Sequence, residues 1–244
     1  MPHLLPNMAY GEHPRQRLDL YLPDSDAPRL LMFIHAGAWQ GGDKEQYHAL
    51  GEMLAGFGYA VALPNHRLAP EFPYPAAIED VAAATACVLR SSAESGIQSH
   101  GILLGGHSSG GHLAALLALH PRYQPEADVA GVICISGVYD LPPYFELEGY
   151  LGPVFGPDPA VWEDASPQRH IAPGAPPFFL AYAEHDYPGA GAQAEAMAEG
   201  LRHCSVHASV TMVPGRNHVT ILTGVQSMFD PLAIGLAMFL RGVR

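Results

Sequence analysis

Apolar runs of strand length alternate with helix-like stretches along most of the chain, and this alternation limits the fold more than any other feature. Residues 29–35 (RLLMFIH) precede a helical reading over about 44–57. Residues 59–64 (YAVALP) precede 76–92, whose alanine content favours helix. The pattern continues with a strand at 100–106, a helix at 108–120 and strands at 129–136 and 177–183. A helix at 190–203, a strand at 206–213 and a last helix at 231–240 complete it. Such alternation predicts a mostly parallel central sheet with helices on both faces. Residues 15–22 (RQRLDLYL) instead alternate polar and apolar with period two, which predicts an antiparallel N-terminal edge with one wet face. Residues 141–176 hold eight prolines and no clean period, and are expected to form a small cap insertion. With 244 residues, 48% of them apolar, the expectation is one domain over 1–244.

Charge narrows the partners. Twelve Lys and Arg against 24 Asp and Glu give a net charge of −12, which repels nucleic-acid backbones and anionic lipid headgroups. Neither nucleic acid nor a membrane is an expected partner. Cys87, Cys134 and Cys204 are too few and too scattered for a disulfide framework. No stretch approaches the roughly 18 to 20 apolar residues of a membrane span, and the first residues lack a leader pattern. A cytoplasmic protein is expected.

The chemistry concentrates at Gly106-His107-Ser108-Ser109-Gly110, a G-x-S-x-G sequence between the strand HGILLG and the helical stretch SGGHLAALLALH. Serine on a sharp strand-to-helix turn is held above the sheet in a strained backbone, and the flanking glycines remove Cβ atoms that would collide. Ser108 is the expected nucleophile. The N–H of Ser109, at a helix N-terminus, is an expected oxyanion donor. A glycine-rich phosphate loop is the alternative, but no lysine follows it. His35-Ala36-Gly37-Ala38-Trp39 follows the strand RLLMFI, where Gly37 and Ala38 can present further N–H groups to a substrate carbonyl.

A serine nucleophile needs a histidine to take its proton and a carboxylate to orient that histidine. Of 14 histidines, His218 is the one in a loop after the last expected strand; His107 and His112 lie too close to Ser108 in sequence to reach back to it. Asp186 ends FFLAYAEHD at the C-terminal end of a strand, one helix and one strand before His218. It is favoured over Asp140, which follows a strand further from the histidine, and over Glu184, expected on the strand itself. His203, Cys204 and His207 straddle a helix end and a strand, so no metal site is expected. No G-x-G-x-x-G opens a helix near the N-terminus, so no nucleotide cofactor is expected either.

Together QRLDLYLP, IHAGAWQGGDK, NHRLAPEFPYPAAIEDV, GGHSSGGHLAAL and the AEHD and GRNH loops make the chain resemble an α/β-hydrolase. Within that superfamily it is similar to the hormone-sensitive-lipase-like esterases and the kynurenine formamidases. The resemblance implies Ser108 as nucleophile, His218 as base and acid, Asp186 as its partner, and Gly37, Ala38 and Ser109 as N–H donors. It departs from the H-G-G-G of the lipase-like esterases at Ala36 and Ala38. The H-G-G-A-W of the formamidases is closer, though Ala36 differs from it too; the chain departs again at His107, where the lipase-like esterases usually carry Asp, and this leans toward the formamidase and feruloyl-esterase side.

The expected function is hydrolysis of small acyl esters through an acyl-enzyme. The alternatives are an arylformamidase acting on N-formylkynurenine and a hydrolase fold retired to ligand binding. Trp39, Tyr139 and Tyr144 are expected to contact a small ester or aryl amide, with Phe72, Tyr74 and Phe145 as further aromatic wall residues. A homodimer is allowed and not required.

Overall fold

A computed structural model describes residues 3–24, 28–94, 101–225, 227 and 229–243. In chain order it contains β1 (His3–Ala9), β2 (Arg17–Leu22), β3 (Arg29–Ile34), α1 (His48–Gly56), β4 (Tyr59–Pro64), α2 (Ala76–Glu94), β5 (Ile102–His107), α3 (Ser109–Leu119) and β6 (Val129–Ile135). There follow α4 (Glu148–Phe155), α5 (Pro159–Asp164), β7 (Phe178–His185), α6 (Ala190–His203), β8 (Ala208–Asn217), α7 (Thr220–Thr223) and α8 (Pro231–Gly242). The eight strands form one sheet in the order β1-β2-β4-β3-β5-β6-β7-β8. β2 runs antiparallel to both β1 and β4, and every pairing from β4 to β8 is parallel.

Alternate residues of the parallel strands feed two separate cores. Leu30, Met32 and Ile34 of β3 pack on one face with Val81 of α2, Leu113 of α3 and Met197 of α6. Leu31 and Phe33 pack on the other with Leu54 of α1 and Phe239 of α8. β6 divides in the same way, with Val132 and Cys134 on the first face and Ile133 and Ile135 on the second. A strand apolar on both faces has no wet side, which is why these segments read as unbroken hydrophobic runs. α3 goes further, with all eleven of its residues buried.

Most expected elements are present, with three differences. β1 was not expected as a strand, because Pro6 and Asn7 interrupt HLLPNMA. It survives as an edge strand whose register shifts between Leu5 and Met8, where a missing proline N–H costs no ladder bond on the solvent side. The helix read over 44–57 divides into a 3₁₀ turn, Lys44–Tyr47, capped by Asp43, and α1. The strand read over 206–213 starts at Ala208 and runs on to Asn217. His100, read as a strand start, lies outside the described residues.

Residues 141–176 fold as a 3₁₀ turn (Pro142–Leu147), α4, α5 and a second 3₁₀ turn (Pro167–His170). Leu151, Val154, Phe155 and Trp162 from this segment join the core of the α2–α3–α6 face. No helix among the described residues is long and apolar enough to cross a membrane.

Of the five buried histidines, four carry lowered pKa values: His35, His66, His107 and His112. Burial pushes His35 down to about 3, helped by the neighbouring His66, and pushes the other three down to about 4. These groups take up protons in the unfolded chain near the ordinary histidine value and in the folded one only well below it. The stability they support is therefore complete above about pH 6.5 and lost as pH falls toward 4. Denaturant unfolding measured from pH 7 to pH 4.5 is expected to show steeply falling stability. His112→Gln should reduce that slope by about one proton; an unchanged slope would mean His112 is not neutral in the fold.

Candidate active site

β5 turns into α3 within a single residue. Ser108 sits at the turn with φ +56° and ψ −121°, a conformation side chains rarely adopt, and its N–H donates to the Ile135 carbonyl at 2.8 Å. The sequence permits this through two glycines. A Cβ on Gly106 would lie 2.3 Å from the carbonyl of Gly110, and one on Gly110 would lie 2.1 Å from the Ile34 oxygen. The start of α3 thereby rests directly on β5 and the end of β3.

The loop after β3 is built by the same means. Gly37 has φ +139°, and a Cβ there would lie 2.1 Å from the Gly41 oxygen. Ala38 and Trp39 follow at φ +51° and +59°. Gln40 and Gly41 N–H groups close the turn on the Gly37 carbonyl, at 3.0 and 2.9 Å. Among the described residues nothing accepts from the N–H of Gly37 or Ala38. Ser109 opens α3, so its N–H also lacks an acceptor within the helix. N–H groups without a protein acceptor can bind an oxygen from outside.

His218 comes directly after β8. Asn217 shapes its loop, with its side-chain oxygen accepting the N–H groups of Val219 and Thr220 at 3.0 and 2.9 Å. β7 and β8 pair in parallel with His185 opposite Asn217, so the next residues, Asp186 and His218, emerge side by side. His218 Nδ1 lies 2.6 Å from Asp186 Oδ1, and His218 Nε2 lies 2.9 Å from Ser108 Oγ.

The Asp186 carboxylate has 3% of its surface exposed. Burial alone would raise its pKa. Hydrogen bonds from His218, from Ser136 Oγ at 2.5 Å and from the N–H groups of Ala183 and Tyr187 at 3.0 and 2.9 Å outweigh burial and hold it at about 2. The carboxylate is charged throughout the neutral range. A charged acceptor there keeps the histidine proton on Nδ1 and leaves the Nε2 lone pair facing Ser108.

The structure thus brings together Ser108, His218 and Asp186, with Ser109 next to the serine and Gly37 and Ala38 in the loop that follows β3. Asp140 lies elsewhere: its carboxylate pairs with Arg169 at 3.1 Å, and its backbone is clamped by Gln193. Glu184, on β7, accepts from the Gly215 N–H at 2.7 Å.

The expected aromatic contacts need correction. Tyr139 is fully buried, and Trp39 is 5% exposed with its indole N–H donated to His112 and its ring edge-on to Phe155. Both belong to the core: Trp39 packs on α3 and α4, and the backbone of Tyr139 is tied to Gln193 of α6. Tyr144 is half-buried, with its hydroxyl on the Pro188 carbonyl. Phe72 packs on His13 and Arg67, Tyr74 donates to Asp164, and the Phe145 side chain lies outside what is described.

Two residues near the triad had no sequence signal. Ser136 donates to Asp186 from 50 positions away, and Tyr187 sets its ring edge-on to His218 at 5.5 Å with its hydroxyl on the Gly137 carbonyl at 2.6 Å. His203, Cys204 and His207 form no ligand group; the cluster of that kind among the described residues is His120, Asp164 and His170. There His120 Nδ1 accepts from the Arg122 N–H, so its Nε2 carries the proton given to Asp164 and has no lone pair for a metal.

Residues 18–201 match the BD-FAE family. The chain is 31% identical to esterase LipC of Mycobacterium tuberculosis over 96% of its own length, and spans 64% of that protein. It is 27% identical to kynurenine formamidase of Danio rerio, covering 89% of this chain and 75% of that one. Among solved structures, tributyrin phosphonate-inhibited esterase B of Lactobacillus rhamnosis superposes with a TM-score of 0.82 at 25% identity, covering 99% of this chain and 84% of that one.

Replacing Ser136 by Ala removes a donor to the charged form of Asp186 and should raise that carboxyl above its value of about 2. The side-chain ¹³C resonance of Asp186, followed through an acid titration, reads the shift. An unmoved midpoint would show that Ser136 does not hold the carboxylate.

Proposed function

The chain belongs to the BD-FAE family within the α/β-hydrolase fold, and from that premise we propose that it hydrolyses carboxylic esters of small acyl groups with Ser108 as nucleophile. The observation that carries this reading is the unbroken chain Ser108 Oγ, His218 Nε2, His218 Nδ1, Asp186 Oδ1, at 2.9 and 2.6 Å, beside free N–H donors.

Ser108 Oγ attacks the ester carbonyl as its proton passes to His218 Nε2. The imidazolium that forms is stabilised by Asp186, whose carboxylate stays charged. Negative charge collecting on the carbonyl oxygen is met by the N–H groups of Gly37, Ala38 and Ser109. Groups aimed in advance at such an oxyanion need no reorganisation during the reaction. Collapse breaks the ester C–O bond, and His218 gives its proton to the departing alkoxide. Water then attacks the acyl-enzyme, losing a proton to His218, which passes it to Ser108 Oγ as the acyl C–O bond breaks and the acid leaves. No metal or organic cofactor enters these steps.

Residues 141–176 would form the cap, with Tyr144 the expected residue of the three nearest the substrate. The surplus of acidic side chains disfavours anionic esters. The cysteines Cys87, Cys134 and Cys204 are free thiols, consistent with a reducing compartment such as the cytoplasm.

A second reading, arylformamidase, is favoured by the likeness to the Danio rerio formamidase and uses the same residues with a one-carbon acyl pocket. Specificity constants separate the two. The proposal expects kcat/KM for p-nitrophenyl butyrate well above that for N-formylkynurenine, and a fall of about 10⁴-fold or more in Ser108→Ala. A reversed ratio would move the assignment to the formamide. Undiminished ester hydrolysis by Ser108→Ala would remove Ser108 from the reaction.

A further inference from the structure

His107, the last residue of β5, is buried next to Ser108, with its ring 5.0 Å from the ring of His218. Its Nε2 lies 2.8 Å from the main-chain oxygen of His218. A carbonyl only accepts, so Nε2 carries the proton and Nδ1 keeps a lone pair. Nδ1 is 3.0 Å from the Tyr47 hydroxyl, which must then donate its one proton to it. The Tyr47 oxygen in turn accepts from the Ala36 N–H at 3.1 Å. Each proton has one place: Ala36 N–H to Tyr47 oxygen, Tyr47 O–H to His107 Nδ1, His107 Nε2–H to the His218 carbonyl.

This chain joins two loops whose parent strands are well separated in the sheet. Ala36 belongs to the loop after β3 that carries Gly37 and Ala38; His218 follows β8, and β5, β6 and β7 lie between those strands. Four strand spacings at about 4.8 Å put roughly 19 Å of sheet between the two strands. Tyr47 and His107 form part of the wall of a cavity of about 690 Å³, lined mostly by apolar side chains such as Phe33, Leu50, Ile135 and Leu236 together with Gln46 and Thr223. The His107 ring itself is buried, and a hydrogen bond to a buried polar group is costly to leave unmade.

We propose that Tyr47 and His107 are positioning residues, a strut that sets the spacing between the oxyanion loop and the main chain of His218. The proposal rests on the hydrolase reading above and adds residues that do not touch substrate. Their role follows from what the reaction requires. The oxyanion donors and the base act on one carbonyl group, and a misplacement of about 1 Å between them costs on the order of 100-fold in rate. Nothing about the strut alters substrate binding, so its loss should appear in kcat and leave KM nearly unchanged.

The full-length protein, its Tyr47→Phe, His107→Leu and His107→Gln variants and a Ser108→Ala control would be compared in p-nitrophenyl acetate acylation and in thermal unfolding. Tyr47→Phe and His107→Leu are expected to lower the acylation rate about 10- to 100-fold with KM within about two-fold. His107→Gln, which presents one donor and one acceptor across a similar span, should recover most of the rate. A merely structural role would lower the melting temperature while leaving the rate of the folded protein unchanged, and that result overturns the proposal.

A second readout is independent of turnover. ¹⁵N shifts of the His107 ring in Ser108→Ala should show Nε2 protonated and Nδ1 bare, with Nδ1 shifting in Tyr47→Phe. The opposite tautomer overturns the strut even if esters are cleaved. Absence of ester cleavage by the wild type overturns the hydrolase reading, and the tautomer then decides the strut by itself.

Discussion

The close approach of Gly110 to the Ile34 carbonyl, with Gly106 folded against Gly110, fixes where everything else in the site must lie. With no Cβ at either place, the chain reverses from β5 into α3 around one residue at positive φ, and that residue is the serine. Strain of this kind persists only where the surroundings over-determine it. Here α3 is buried along its whole length and wedged between two strands and the packed helices of one face, so the turn cannot relax. The positive end of the helix is placed next to Ser108 by the same packing. The proposed nucleophile and one proposed oxyanion donor are thus consequences of a single backbone contact.

The remaining groups reach that point because every strand from β4 to β8 runs parallel. Their C-terminal ends then lie on one side of the sheet, and each contributes a loop there. β3 contributes Gly37 and Ala38, β6 Ser136, β7 Asp186 and β8 His218. Register carries the final adjustment, since pairing His185 with Asn217 leaves Asp186 and His218 as neighbours. A slip of one residue in β8 would send its side chains to the opposite face and take His218 away from the acid.

Legibility from sequence followed the range of the interaction. The elbow was readable because its glycines, its strand and its helix lie within a few residues of Ser108. Asp186 was preferred to Asp140 on strand order, and the ion pair of Asp140 with Arg169 accounts for the acid that was set aside. Ser136, Tyr187 and Tyr47 were not readable, since their partners lie 50 to 60 positions away and impose no local pattern. Trp39 and Tyr139 were read as contacts for a substrate because aromatic residues beside a catalytic loop can serve either substrate or core. The packing of α4 and of Phe155 against Trp39 decided for the core, and a sequence without period over 141–176 gave no sign of that packing. β1 was missed because Pro6 is forbidden in a central strand and tolerated only at an edge, and edge position is a property of the whole sheet.

Histidine is abundant in this chain, and its partners separate the one proposed to move protons from those that hold structure. His35, His66, His107 and His112 each face a main-chain carbonyl, of Ala36, Arg67, His218 and Ala165 respectively. A carbonyl fixes the tautomer but gives little support to a second proton in a buried ring, so these four remain neutral and serve as rigid donors. His218 differs in both respects. Its Nδ1 faces a carboxylate that three other groups keep charged, and its Nε2 faces a hydroxyl, with a third of its side chain open to solvent. An imidazolium is supported at that position because the compensating charge is already present and already desolvated. The difference between the structural histidines and the one proposed to transfer protons is therefore set one residue further out, by Ser136 and the Ala183 and Tyr187 N–H groups that hold Asp186 charged.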